Sequence, residues 1–280
     1  MATVAKPGAP PDAPLAVIGA IAGVAVAALL IAFGPMLVAA TGLIGGTHGA
    51  LWDESVFTAA IFGAMLLAAL IGGALTGVRP FALGARPGTM LALGAALGLA
   101  GILAGTALSW IARGLAIGAA GTPGAALLLG LVAIVLQVVA EESYFRGGLQ
   151  PLLARVWGVR VAVPLVAAAF AGLHVLGGAA NLVALANLFL GGLAFGLLAA
   201  RAGGIAPAIG MHLAWNGTEQ LLLGLDPNPG VGGFGAMLDL DLVGSPWWGG
   251  SAEGMNASIG MTVALLAILA PLLIYARRPV

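Results

Sequence analysis

Long unbroken apolar runs dominate this chain, in place of the alternation of a half-buried strand or the stripe of an amphipathic helix. They fall near 15–40, 56–77, 88–112, 124–149, 160–176, 179–200, 204–224 and 258–275. Each is long enough to cross a hydrocarbon core of about 30 Å as a helix. Lipid offers no partner to an unpaired backbone group, so the pattern predicts an all-α fold, a polytopic membrane protein with about eight transmembrane helices. Residues 1–14, with Lys6, Pro7, Pro10, Pro11, Asp12 and Pro14, read as a disordered cytoplasmic arm, and residues 15–280 as a single transmembrane helical domain. The first run is longer than the apolar core of a signal peptide and is expected to be retained. The Gly-rich outer loop over 225–257, with Pro227, Pro229 and Pro246, could cap the far side of a cavity between the spans, but its composition equally fits a mobile linker, the preferred reading.

Composition narrows the class. Of 280 residues, 61% are apolar and 7% are Asp, Glu, Lys or Arg, against about a quarter charged in a soluble domain. Ten basic residues balance ten acidic ones, which leaves no surface for nucleic acid and makes the lipid bilayer the expected partner. The absence of cysteine excludes thiolate nucleophiles and thiolate metal sites. Lys6, Arg79, Arg86, Arg155, Arg160, Arg201, Arg277 and Arg278 fall on one side of the spans and Arg113 alone on the other. The positive-inside rule then places both termini in the cytoplasm, in a multi-pass protein of the plasma membrane. Asp53, Glu54, Asp226, Asp239, Asp241 and Glu253 belong to the outer loops, while Trp52, Trp110, Trp247, Trp248 and, on the inner side, Trp157 read as interfacial anchors. Gly94 with Gly98, and Gly101 with Gly105, have the spacing of close helix contacts without naming the helices that meet. Pro35 and Pro271 lie inside spans.

The informative residues are those that violate the solvent, because ionisable groups inside spans are costly and usually mark a site. The fourth span ends in VVAEESYFRGGLQ with Glu141, Glu142 and Arg146, the fifth contains Phe170 and His174, and the seventh contains His212, Asn216 and Glu219. Glu142 and Arg146 stand at the spacing of an intrahelical ion pair with the acid first. Glu141 is rotated by about 100° from Glu142 and can face another neighbour. That geometry suggests a reactive Glu141 held in a frame of Glu142 and Arg146. Phe170 can wall His174 four residues on; His212 and Asn216 share a face, and Glu219 and Gln220 are expected to extend it. A rise of about 1.5 Å per residue puts Glu141 and His212 about 12 Å, and His174 about 20 Å, from the cytoplasmic ends of their helices. The three groups are thus expected to meet in one cavity below that surface. His48 reads as a surface residue.

These blocks resemble the CAAX-protease and bacteriocin-processing family of intramembrane endopeptidases, also described as the abortive-infection membrane family. Its pattern is E-E-x-x-x-R on one helix, F-x-x-x-H on the next and H-x-x-x-N on a later one, met in order by Glu141, Glu142 and Arg146, by Phe170 and His174, and by His212 and Asn216. The resemblance spans about residues 124–224. It implies hydrolysis of a peptide bond in a membrane-associated peptide or protein by an activated water. Glu141 would be the general base, His174 would position the water or share its proton, and His212 with Asn216 would stabilise the oxyanion.

Two mechanisms fit these residues. Glu141, His174 and His212 could hold a zinc ion with one position left for water, or the same groups could hold the water with no cofactor. The metal-free scheme is favoured, the H-E-x-x-H motif of zinc proteases being absent. A non-catalytic immunity factor, a scaffold or a small transporter would use the same polar cavity differently. The Ala and Gly bias suggests a bacterial chain, for which a bacteriocin leader, a peptide precursor or a membrane-protein tail are expected substrates rather than a prenylated C-terminus.

Overall fold

The computed structural model describes residues 13–118, 124–225, 232–249, 251 and 253–275. Most of the expected N-terminal arm, including Lys6, and Asp226, Pro227, Pro229, Arg277 and Arg278 lie outside the described residues. The helices are α1 (Ala13–Ala40), α2 (Ala50–Thr76), α3 (Pro87–Ile111), α4 (Ala125–Glu142), α5 (Gln150–Trp157), α6 (Val159–Leu176), α7 (Leu182–Ala202), α8 (Ala206–Asn216) and α9 (Ile259–Tyr275). The protein is all-α and polytopic, as the apolar runs require. Among the described residues, six helical stretches are long and apolar enough to cross a membrane: α1, α2, α3, α4 running on through α5, α6 and α7. The last two expected spans are shorter, α8 having 11 residues and α9 having 17.

Local chemistry moves several boundaries. Helix α2 begins at Ala50, after Gly49 in a positive-φ conformation, so Trp52, Asp53 and Glu54 are helical rather than loop residues. An acid in the first turn is favoured by the helix dipole, and Asp53 also accepts the Gly45 N–H at 3.1 Å. Helix α7 starts at Leu182 because the Asn181 side chain accepts the N–H groups of Val183 and Ala184. The fourth span does not stop at Leu149. It passes through a π-helical turn, Ser143–Leu149, into α5, and it ends at Gly158.

Glycine sets which helices touch. Gly94 and Gly98 on α3 lie against the backbone of Pro207 and Met211 on α8, and Gly210 on α8 lies against Leu91 and Ala95, leaving no room for a Cβ at any of the three. Gly101 meets Trp215 and Ile268, and Gly105 meets Met261, so the same stripe continues onto α9. In lipid, backbone contact of this kind replaces the hydrophobic drive that holds helices together in water. It fixes α8, the carrier of His212, against α3.

The outer connections are more built than a mobile linker. Leu115–Ile117 (β1) and Leu240–Leu242 (β2) pair antiparallel in a short ribbon absent from the sequence expectation. Glu54 accepts the Gly233 N–H at 2.7 Å, and Glu253 accepts those of Ala180 and Asn181 at 2.9 and 2.6 Å. Acidic residues that the sequence assigns to the outer loops tie the described parts of the loop to the ends of α2 and α7. Charge-assisted bonds to backbone N–H groups are about twice as strong as neutral ones, which is why these parts are ordered. At the opposite end, Arg155 caps α2 by donating to the carbonyls of Thr76 and Gly77, both at 2.9 Å, and Ile205 N donates to Ala82 O. Arg79, Arg155 and the α7–α8 turn therefore share one face, as the sorting of basic residues anticipates. Trp52, Trp110, Trp157 and Trp247 are exposed in keeping with interfacial anchors, as is His48 beside Trp52.

Candidate active site

Glu141, Phe170, His174, His212 and Asn216 line one cavity of about 60 Å³, large enough for water. Six described segments build it, α9 through Met261 and Leu265. α4 supplies Gln137 and Glu141, α6 Phe170 and His174, α7 Asn187 and Phe195, α8 His212, Trp215 and Asn216, and the turn before α9 supplies Asn256. Asn256 comes from the outer loop and His174 lies two residues before the outer end of α6. The cavity thus runs from the middle of the bundle towards the end opposite the basic one, not to the expected position just below the basic end. The reason is the continuation of the fourth span to Trp157, which leaves Glu141 far from the basic end.

The two adjacent acids do different jobs. Glu142 is fully buried and its Oε1 accepts from Arg146 Nη1 at 3.0 Å and faces His212 Nδ1 at 2.9 Å. The frame of Glu142 and Arg146 therefore holds His212 rather than Glu141. With Nδ1–H directed at a carboxylate, His212 Nε2 carries the lone pair and accepts from Asn216 Nδ2 at 3.2 Å. Glu141 Oε2 stands 3.8 Å from the same Nε2. That is too long for a hydrogen bond, and a single water about 2.8 Å from each atom would touch both. The other oxygen, Oε1, is reached by Gln137 Nε2 at 3.4 Å, one turn back on α4.

His174 has its tautomer set by its own helix. Its Nδ1 lies 2.7 Å from the Phe170 carbonyl, an acceptor only, so Nδ1 carries the proton and Nε2 remains basic. Aromatic rings enclose both imidazoles. Phe195 stacks on His212 with centroids 4.7 Å apart, and Phe170 lies 4.7 Å from the His174 ring. The Arg146 guanidinium sits over Phe170 at 4.5 Å and Phe195 at 5.1 Å, so the cation is held by its rings as well as by Glu142.

Both polar helices switch to π-helix next to the site: α4 directly after Glu142, and α8 directly after Asn216 through Gly217–Leu222. π-turns are rare and frequently lie at functional sites, where the extra residue re-aims the side chains that follow. This breaks the expected extension of the His212–Asn216 stripe: Glu219 and Gln220 are buried but do not line the cavity.

Among the described residues, no three His, Asp or Glu side chains are arranged to hold a metal ion. Gln137, Asn187 and Phe195 are among the lining residues that a search for ionisable groups misses. Gln137 was within reach of the spacing argument, four residues before Glu141, and Asn187 is a polar group inside a span that a wider definition would include. Phe195 has no local signal, because only the packing of α7 on α8 brings it to His212.

Residues 123–218 match the model of a family described as type II CAAX prenyl endopeptidase, Rce1-like. A comparison with curated proteins finds no match to the chain.

Proposed function

We propose, for a chain that belongs through residues 123–218 to the CAAX-protease and bacteriocin-processing family, that it is an endopeptidase acting within the membrane on a peptide or protein held in the bilayer. The observation that carries this reading is the gap of 3.8 Å between Glu141 Oε2 and His212 Nε2, inside a cavity that His174 and Asn216 also line. A water in that gap gives its proton to Glu141 and attacks the scissile carbonyl. Asn216 Nδ2 then turns from His212 to the developing oxyanion, in surroundings of low dielectric where one such donor contributes about 3 to 4 kcal/mol. Glu141 returns the proton to the leaving amine, with His174 Nε2 as the alternate carrier. Glu142 keeps His212 in one tautomer, the role that an orienting carboxylate plays beside other catalytic histidines.

The water is activated without a cofactor in this scheme. The basic face is assigned to the cytoplasm of the plasma membrane, with both termini on that side. The test is turnover of a fluorogenic peptide library by the detergent-purified protein. Glu141→Gln is expected to lower the rate about 10²- to 10⁴-fold while leaving the thermal midpoint within a few degrees, and a chelator is expected to leave the rate unchanged. Turnover that survives Glu141→Gln, or no turnover by the wild type, defeats the proposal; loss on chelation with recovery on added zinc replaces the metal-free step.

A further inference from the structure

The cavity around Glu141 is sealed on most sides. Of its lining residues, only Gln137 on α4, His174 on α6, Leu188 on α7 and Asn256 in the turn before α9 are partly exposed. These four form its rim, and a peptide presented to Glu141 has to lie across them.

Such a peptide brings N–H and C=O groups that lose water as it docks, and unpaired polar groups are costly in surroundings of low dielectric. The helical walls have little backbone to offer, because their N–H and C=O groups are spent along the helices. Partners must come from side chains, and four side-chain amides line the cavity: Gln137, Asn187, Asn216 and Asn256. Gln137 Nε2 is directed at Glu141 and Asn216 Nδ2 at His212. Asn187, 3% exposed, spends both ends of its amide. Its Nδ2 donates to the carbonyls of Asn256 and Ser258 at 2.8 and 2.9 Å, and its Oδ1 accepts from Thr262 Oγ1 at 2.7 Å. Among the described residues, Asn256 is the one of the four with neither the donor nor the acceptor end of its side chain engaged.

This free amide is fixed in place through its backbone. Asn187 fastens the turn Gly254–Ala257 to the middle of α7, and Glu253 Oε1 fastens its beginning to the N–H groups of Ala180 and Asn181. Asn256 also lies beyond residues 123–218, the part of the chain matched by the family model. What it contributes to the cavity is therefore additional to the family pattern.

Taking the cavity as the hydrolytic site proposed above, we infer that Asn256 is a substrate-binding residue that clamps one residue of an extended peptide beside the scissile bond, and that Asn187 positions it. Asn256 Oδ1 accepts the N–H of that substrate residue and Nδ2 donates to its C=O, a match that an uncharged amide makes with both groups at once. An extended chain leaves these groups free, whereas a helix has spent them. The substrate class is thus a peptide segment unwound at the point of cleavage.

The probe for the experiment is the tightest-binding member of a fluorogenic peptide library, selected on the full-length Glu141→Gln protein. Its affinity is read there by fluorescence anisotropy, and its turnover is read on the chain with Glu141 intact. Asn256→Ala is expected to weaken binding and raise KM about fivefold, with kcat within about twofold and the thermal midpoint unmoved. Replacing with an ester the one peptide bond whose N–H is clamped is expected to cost the wild type about as much and Asn256→Ala nothing further. Asn187→Ala is expected to lower the midpoint and raise KM, and adding Asn256→Ala to it should raise KM no more. Additive effects would make Asn187 merely structural and overturn its positioning role. Unchanged affinity and KM in Asn256→Ala, or ester costs equal in both proteins at every position, overturn the clamp and leave the hydrolytic reading standing. Weaker binding by Asn256→Ala in a chain whose wild type does not cleave the probe keeps the clamp and defeats the hydrolytic reading. Failure of every library peptide to bind defeats both.

Discussion

Two cavities among the described residues lie on either side of one ion pair and have opposite chemistry. Towards the end opposite the basic face, Glu141 and two imidazoles surround a space with room for little more than water, and every nitrogen of His212 is engaged. Towards the basic face, arginines line a space several times larger in which Arg79 has no side-chain partner among the described residues. Arg146 stands between them, its guanidinium given to Glu142 and its residue forming part of the basic wall. A chain with 7% charged residues thus holds some of them enclosed and oriented by neighbours and leaves others open to solvent.

Breaking the ion pair is the most severe test of that division after the Glu141→Gln assay. Glu142→Gln leaves the buried Arg146 cation without its carboxylate, and loss of one partner from a buried pair costs about 3–5 kcal/mol. A fall in thermal midpoint together with loss of turnover is expected. The double change Glu142→Leu with Arg146→Met removes both charges and should recover most of the stability but not the rate, because His212 still lacks an orienting acceptor. A double variant as fast as wild type would show that the pair is only structural.

The helix contact that holds α8 comes next. Gly210→Ala places a methyl group against the α3 backbone at Leu91 and Ala95, an overpacking expected to cost about 1–3 kcal/mol and to weaken activity by displacing His212 and Asn216. Denaturation in mixed detergent micelles reads the first effect and peptide turnover the second. A smaller change is expected from Gln137→Ala, which removes the 3.4 Å contact to Glu141: about fivefold in kcat, with KM unchanged and the midpoint unmoved. The least effect belongs to the lipid-facing shell. Leu29→Ala on α1, 57% exposed, should alter stability by no more than about 0.5 kcal/mol and leave both cavities intact.

Much of the site is legible in the linear chain because its parts repeat at helical spacing. Glu142 with Arg146, Phe170 with His174, and His212 with Asn216 each lie four residues apart, and all three contacts form. Helix ends were less legible. Hydropathy locates a span but is blind to Asn181 as a cap, to Gly49 as a start, and to a π-turn that carries α4 past Leu149. The outer loop misled for a similar reason. Its glycines and prolines suggested a linker, whereas Glu253 and Glu54 fasten it through backbone N–H groups that no composition reports.

What the sequence by itself determined is the membrane class, the all-α architecture and the identity of the polar residues that break the apolar spans. Those properties are local: they depend on runs of about 20 residues and on neighbours one helical turn apart. The tertiary structure alone decided that Glu142 holds His212, 70 positions away, that Phe195 stacks on that ring, and that Arg79, Arg155 and the start of α8 enclose a second cavity. Each is a pairing across helices, set by how closely α3, α7 and α8 approach, and side-chain contacts between distant segments leave no periodic trace in the chain.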